Sequence, residues 1–286
     1  RVFVISTMLW GVSMRQSFDE LSQNAFKNIF NKQRFCFIFC SLCCFGFVFA
    51  LFLKLCSRLA PEISLSTLGL GAFFCAFSVI CASAIIVQFL LHKESQGETS
   101  KLCCAIKNTW SSLWLSLLVS MPFFIAMVAV VTVAMLSSFL GSLPWVGKLF
   151  HTVLIFIPYL SATALILLFL GSFSCLFFCI PVLHNQESID YRKLLECFRG
   201  NILRQFIGVV IALVPLALCS WLALDSFYLM THLVEIADIH TWSFLAQMFV
   251  LIVPIALILT PAVSFFFNFS FSFYLAKQEE EKALVK

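Results

Sequence analysis

The sequence predicts an all-α fold: a polytopic membrane helix bundle of six transmembrane helices in three parallel two-helix repeats. The first observation is the composition, with 62% hydrophobic residues, 11% charged residues and a mean hydropathy of +1.02, whereas a water-soluble domain carries roughly 25% charged residues. The second is a set of six apolar stretches, each long enough to cross a hydrocarbon core of about 30 Å. The third is an internal repeat. Together they predict a single integral membrane domain over residues 1–286.

The repeat is clearest in the short segments that precede the apolar stretches. These read Ala25-Phe-Lys-Asn-Ile-Phe30, Ala105-Ile-Lys-Asn-Thr-Trp110 and Cys197-Phe-Arg-Gly-Asn-Ile202. A second landmark, at the end of each unit, contains His92, His184 or Ala276, and these positions are 92 residues apart, as are Ala105 and Cys197. Two independent landmarks with one period predict three repeats, at approximately 17–94, 98–187 and 188–279.

Each repeat is expected to begin with an amphipathic helix that lies on the membrane surface. Ser17 and Glu20 have the spacing of a capping box, so the first helix should start there and run to about Arg34. Its apolar side would carry Phe18, Leu21, Ala25, Ile29 and Phe30, and its basic residues available to headgroups would be Lys27, Lys32 and Arg34. The third copy, 188–206, has the same helical spacing of apolar residues.

Six predicted spans follow these helices in pairs. They are 35–53, 68–91, 113–136, 152–178, 206–224 and 243–275. None of them contains Asp, Glu, Lys or Arg. The last has 33 residues with Pro254 and Pro261, which is too long for a straight crossing, so we expect a kink or a tilt. An acidic outer loop is expected at 225–242, and a charged, frayed tail at 277–286.

The distribution of basic residues predicts the orientation. The segments that precede odd spans and follow even spans hold 14 Lys and Arg, whereas the opposite loops hold three, Lys54, Arg58 and Lys148. By the positive-inside rule, both termini and all three surface helices are cytoplasmic, and the protein is integral to the cytoplasmic (inner) membrane. The basic residue that recurs in each repeat should contact anionic lipid headgroups at that face. These residues are Lys27, Lys107 and Arg199.

Several kinds of chemistry are disfavoured by the residue pattern. The formal net charge of +4 is modest and gives no nucleic-acid footprint. Most of the 13 Cys lie within apolar runs, where a thiol behaves as a small hydrophobe. His232, Glu235, Asp238 and His240 are of the types that bind zinc, but their setting is also that of a solvated amphipathic loop, which we favour. We therefore predict no metal, no cofactor and no catalytic residue.

The sixth span carries one polar stripe, in which residues recur every four positions. The stripe consists of Thr260, Ser264, Asn268 and Ser272. Such groups should not face lipid, because an unpaired amide costs several kcal/mol in hydrocarbon. The stripe is therefore predicted either to line a pathway or to join helices by hydrogen bonds. A similarly spaced face at the mouth of the third span offers a partner: Ser112, Ser116 and Ser120.

A short basic amphipathic helix that turns into a long span, repeated to give six spans, resembles a group of bacterial uncharacterised integral membrane proteins. That group is related to the membrane domain that accompanies glycerophosphodiester phosphodiesterases. The elbows Ala-Phe-Lys-Asn at 25–28 and Ala-Ile-Lys-Asn at 105–108 carry the resemblance. It implies a membrane fold and a link to envelope lipid metabolism. It implies no catalytic residues, because this sequence does not contain the phosphodiesterase domain.

Two functions follow as alternatives. The first is transport or handling of a small molecule or an envelope lipid, without an intramembrane proton relay, because no span contains a charged residue. The second is a non-catalytic membrane scaffold or assembly factor for envelope proteins, with membrane-protein partners or further copies of this chain. Neither function is that of an enzyme.

Overall fold

The computed structural model describes residues 18–59, 65–95, 110–142, 202–233 and 241–285, together with scattered positions between 156 and 177. Of these residues 97% are helical, and none of them lies in a strand. The helices are α1 (18–27), α2 (Lys32–Leu59), α3 (Leu65–Ser95), α4 (Trp110–Ser142), α5 (Ile202–Leu233) and α6 (Trp242–Val285). The all-helical prediction is confirmed for this part of the chain.

Three of these helices are long and apolar enough to cross a membrane. The segments concerned are Lys32–Leu55 in α2, Arg204–Met230 in α5 and Trp242–Lys277 in α6, as found among the described residues. The predicted spans 68–91 and 113–136 lie within α3 and α4, which have 31 and 33 residues. Three long apolar helices are compatible with an integral membrane protein. The count of six spans and the threefold repeat stay predictions.

Helix α6 is the centre of the described bundle. It packs along α2 and α5 and touches α3, while α2 also packs along α3, and α4 packs along α3. Every residue from 264 to 271 is buried, so this part of α6 is enclosed on all of its faces. The main core contains Phe265, Phe266, Phe267 and Phe269, with Phe177 packed against them. The core is therefore aromatic along α6.

The predicted first surface helix is shorter than expected and packs on protein. Helix α1 ends at 27, the chain turns at 28–30, and α2 begins after Asn31, whose carbonyl accepts from the Phe35 amide at 2.8 Å. Asn is a preferred residue at such a helix start. The apolar face of α1 covers α6, with the Phe18 ring 6.1 Å from that of Phe273. Phe30, expected on this face, is 73% exposed because the turn directs it outward.

Two predicted helix ends are also wrong. Helix α5 continues to Leu233, so 225–233 is helical where a loop was expected. Helix α6 runs through Pro254 and Pro261 and on to Val285, so the expected frayed tail is helical along its backbone. A proline removes one backbone donor and leaves the bonds further along the helix intact. Charged residues such as those of the tail are themselves adequate helix formers.

The first and last long helices are joined at the end of α2. Lys54 is only 2% exposed; its Nζ donates to the Thr241 carbonyl and lies 4.2 Å from the centre of the Trp242 ring. A residue that the sequence assigned to a polar loop therefore stabilises the start of α6 through a hydrogen bond and a cation–π contact.

Candidate functional site

A group of polar side chains lies where α2, α3 and α6 meet, near the first turn of α2. We call it the polar cluster, and it consists of Arg34, Gln88, Glu94, Ser264 and Asn268. All except Glu94 are at most 4% exposed. The surrounding residues are aromatic and aliphatic, so these polar groups interact in surroundings where water competes weakly.

Arg34 makes two polar contacts with neighbouring helices. Its Nη1 donates to Oδ1 of Asn268 on α6, and its Nη2 lies 3.1 Å from Oε2 of Glu94 on α3. Burying a guanidinium costs several kcal/mol unless its partners are well placed, which explains why one charged and one amide partner converge on it. The ion pair is asymmetric, since Arg34 is 3% exposed and Glu94 55%. The cation is thus inside the bundle, and its counter-ion is at the edge.

Asn268 is held on both sides of its amide. Its Nδ2 donates to the Ser264 carbonyl at 2.8 Å and approaches the Ser264 hydroxyl at 3.3 Å, while Oδ1 accepts from Arg34. The Ser264 hydroxyl donates to the Ile29 carbonyl at 3.1 Å, in the turn between α1 and α2. The amide and hydroxyl of α6 are therefore used to anchor α2 and the turn that precedes it.

Two polar atoms of the cluster have no hydrogen-bond partner among the described residues. They are Nε of Arg34, a donor, and Oε1 of Gln88, an acceptor. The other end of the Gln88 amide is satisfied, because Nε2 donates to the Phe267 carbonyl at 3.2 Å. Leaving a buried donor or acceptor unused costs about 1–3 kcal/mol. Such atoms are unusual in a packed core, and each calls for an explanation, of which a bound water or ion is one.

The predicted polar stripe is buried over three of its four positions. Thr260 and Ser264 are 0% exposed, and Ser272 is half-buried. Thr260 donates to the Ala256 carbonyl of its own helix at 2.6 Å. Ser112, Ser116 and Ser120 lie on α4, but their side chains are outside the described part of the structure. Among the described residues, Asn268 forms hydrogen bonds with Arg34 and Ser264.

The other predicted positions are distributed as follows. Lys27 is exposed on α1, as a headgroup contact requires, whereas Lys107 and Arg199 lie outside the described residues. The side chains of His232, Glu235, Asp238 and His240 also lie outside them. Within the described residues no three His, Cys, Asp or Glu side chains are placed to hold a metal ion.

Three cysteines of α2 lie on its outer face. Cys36, Cys40 and Cys44 are exposed, and Cys43 is intermediate, so of this group none is buried in the core. The expected packing role therefore applies to Cys81, which is buried on α3, and to Cys43, which packs against the main core, but not to the exposed Cys36, Cys40 and Cys44.

Sequence reasoning missed Arg34 and Gln88 as members of the site. Arg34 precedes an apolar run and was assigned to the headgroups, which its burial contradicts. Gln88 is the one amide side chain in the predicted span 68–91. A polar side chain in such a run is itself a signal, because hydrocarbon does not solvate it.

The described part of the chain thus has the features of a helical membrane protein: long apolar helices, an aromatic core and a polar cluster enclosed by three helices. No protein-family model, curated protein or solved structure matches the chain. The resemblance to the proteins related to the phosphodiesterase-associated membrane domain stays a prediction.

Proposed function

We propose that this chain is a six-span integral membrane protein of a bacterial inner membrane that binds or moves a small molecule or an envelope lipid. The observation that supports this most strongly is the polar cluster. In it Arg34 and Gln88 are buried, and each has one polar atom without a hydrogen-bond partner among the described residues. Polar and ionisable residues between membrane helices are expensive and usually serve a function. A residue needed only for packing could be apolar at lower cost.

The proposed pathway runs along the polar stripe of α6 toward the polar cluster. Ser264 and Asn268 belong to both, and Ser272 continues the stripe beyond them. These are hydroxyl and amide groups, which bind polar solutes without exchanging protons. The proposal therefore contains no proton relay, no cofactor and no catalytic step.

The proposed orientation places both termini and the N-terminal turn of α2 at the cytoplasmic face. The imbalance of 14 against three Lys and Arg supports it. One basic residue in each of the three proposed repeats would then contact anionic headgroups: Lys27, Lys107 and Arg199. Each such contact contributes about 1 kcal/mol near a charged membrane surface. We propose no nucleic-acid partner.

A comparison of cells tests the proposal. Lipids and metabolites would be measured in cells that lack the protein and in the same cells supplied with wild type, Asn268→Leu or Ser83→Ala. The first substitution removes the amide that holds Arg34. The second is a control outside the stripe and the polar cluster: it removes a buried hydroxyl that donates to the Val79 carbonyl of its own helix, α3. We expect wild type and Ser83→Ala to restore the composition, and Asn268→Leu to leave it changed although the protein reaches the membrane. An unchanged composition in cells without the protein contradicts the proposal.

The second candidate is a non-catalytic scaffold for envelope proteins. One observation favours it: Ser264 and Asn268 direct their hydrogen bonds to groups of the protein itself, as residues that only join helices would. Such contacts contribute about 0.6 kcal/mol each between membrane helices. Stable co-purification of another membrane protein or of a second copy, lost on substitution of exposed residues of α5 such as Trp221, would support this candidate.

A further inference from the structure

We propose that Arg34 is a binding site for an oxyanion, a phosphate or carboxylate group, which competes with Glu94 for the guanidinium. This inference rests on the proposed function and names its ligand class. The ligand is a negatively charged group with two oxygens that accept hydrogen bonds. Such a group belongs either to a lipid headgroup or to a small soluble anion.

The first argument is the way in which the guanidinium is occupied. Nε and Nη2 lie on the same edge of an arginine and form the fork that binds the two oxygens of a carboxylate or phosphate. Glu94 takes only Nη2, at 3.1 Å from Oε2, and Nε has no partner among the described residues. The intramolecular carboxylate therefore fills half of a bidentate site.

The second argument is the position of Asn268. Its Oδ1 accepts from Nη1, on the side of the guanidinium away from that fork. Asn268 is itself held by Ser264, which bonds to the turn before α2. The guanidinium is thus oriented by groups that do not occupy the fork. Preorganisation of this kind lowers the entropy that is lost when a ligand binds.

The third argument is the difference in exposure between the two charged partners. Glu94 is 55% exposed and lies in the last turn of α3, whereas Arg34 is 3% exposed. The Glu94 carboxylate is already largely hydrated, so its side chain can rotate away from Arg34 into solvent at little cost. An oxyanion can then take its place on Arg34. Lys27, Lys32 and Lys93 lie close in sequence to the two partners and add positive charge at this end, which raises the local concentration of anions.

Binding to the purified full-length chain in detergent micelles tests the proposal. The two probes are phosphatidylglycerol, measured as lipid retained in native mass spectrometry, and inorganic phosphate, measured by equilibrium dialysis. Diacylglycerol, which has the same acyl chains without a phosphate, is the ligand control. The variants are Glu94→Gln, Arg34→Lys and, as a control for change of an exposed uncharged side chain next to Arg34, Gln33→Ala.

Glu94→Gln is the decisive variant, because it removes the competing charge from a side chain that is more than half exposed. We expect it to tighten binding of at least one probe about fivefold, since like charges no longer compete for one fork. Arg34→Lys keeps the charge and loses the fork, so binding should weaken about tenfold. Gln33→Ala should bind both probes within about twofold of wild type, because the substituted side chain is exposed and uncharged. Binding of diacylglycerol, which has no phosphate, should differ by less than about twofold between wild type and every variant.

If Glu94→Gln tightens the binding of phosphatidylglycerol alone, the ligand is a lipid headgroup. If it tightens the binding of phosphate alone, the ligand is a soluble anion. Unchanged or weaker binding of both probes to Glu94→Gln overturns the proposal, whatever the behaviour of Arg34→Lys. This outcome is separate from that of the cell comparison. Tighter binding with no effect on cell composition would leave the anion site in place and contradict lipid or metabolite handling.

Discussion

Arg34 illustrates why a buried charge depends on specific neighbours. Its guanidinium is enclosed where three helices meet and is held by one amide and one carboxylate. Removing one partner of a buried charge is costly, because the remaining charge is left without compensation, whereas replacing the whole set with apolar groups is often neutral. The stability of this junction should therefore depend on the combination of residues and not on each one separately.

A double-mutant cycle on Arg34 and Asn268 should reveal this dependence. Asn268→Leu leaves Nη1 without its acceptor and should lower the free energy of unfolding by about 1–3 kcal/mol. Arg34→Met together with Asn268→Leu should be less destabilising than the sum of the single changes, because no buried charge remains. Unfolding of each purified protein by a denaturing detergent gives the four free energies of unfolding: those of wild type, Arg34→Met, Asn268→Leu and the double variant. Additive effects would show that the two side chains are not coupled.

The sequence could predict part of this site. The burial of Thr260, Ser264 and Asn268 followed from the cost of exposing polar groups to hydrocarbon, and the structure buries all three. Their partner could not be predicted, because a basic residue before an apolar run has the same local pattern whether it contacts headgroups or turns inward. The turn at 28–30 and the packing of α1 on α6 decide this, and both depend on residues distant in sequence.

At the scale of helices, the bundle depends on close approaches to α6. A Cβ added at Gly46 of α2 would lie 2.7 Å from Cγ2 of Ile252, and one at Gly208 of α5 would lie 3.0 Å from Cε2 of Phe273. Small residues allow helices to approach closely in membranes, where packing rather than the hydrophobic effect drives their association. These two glycines set the distances of α2 and α5 from α6.

Gly46→Ala should therefore destabilise the bundle. The added methyl meets the branched carbons of Ile252, which cannot move aside as the end of a flexible chain could. Overpacking of this kind costs about 1–3 kcal/mol, and thermal unfolding in detergent measures it. Cys44→Ala, on the exposed face of the same helix, is the control and should change stability by less than about 0.5 kcal/mol. Equal stability of Gly46→Ala and wild type would mean that the helices are less tightly packed here.

The helices themselves were largely predictable, and their surroundings were not. Uninterrupted apolar runs fixed the positions of α2 to α6, because hydrocarbon-length helices need such runs. The spacing of Phe18, Ala25 and Ile29 predicted a helix with an apolar face, but that spacing is the same for a helix on lipid and for one on protein. Helix α5 extends past 224 because Asp225 and Ser226 do not interrupt a helix, and Ser226 donates to the Leu222 carbonyl.

At the scale of the whole molecule, the charges predict one orientation in the membrane. A reporter fused after Lys286 should be cytoplasmic, and reporters inserted near Ser142 or Glu235 should be external, because basic segments are retained inside. Activities of a periplasm-specific and a cytoplasm-specific reporter at each position provide the measurement. The reverse pattern would contradict the orientation, and Ser142 and Glu235 on opposite sides would contradict six spans.

Side-specific thiol labelling tests most directly whether the polar stripe lines a pathway. Cysteine would replace Ser264, Asn268 or Ser272, one at a time, in a chain whose 13 native Cys have been removed. Phe266→Cys and Phe267→Cys are controls of similar burial, since those side chains are 3% and 4% exposed.

Ser264 and Asn268 are themselves buried, so labelling requires a second arrangement in which the helices part. We predict that a water-soluble thiol reagent reaches the three stripe positions from one side of the membrane and leaves 266 and 267 unlabelled. Equal inertness of all five positions would mean that the stripe only joins helices, and would contradict transport along α6.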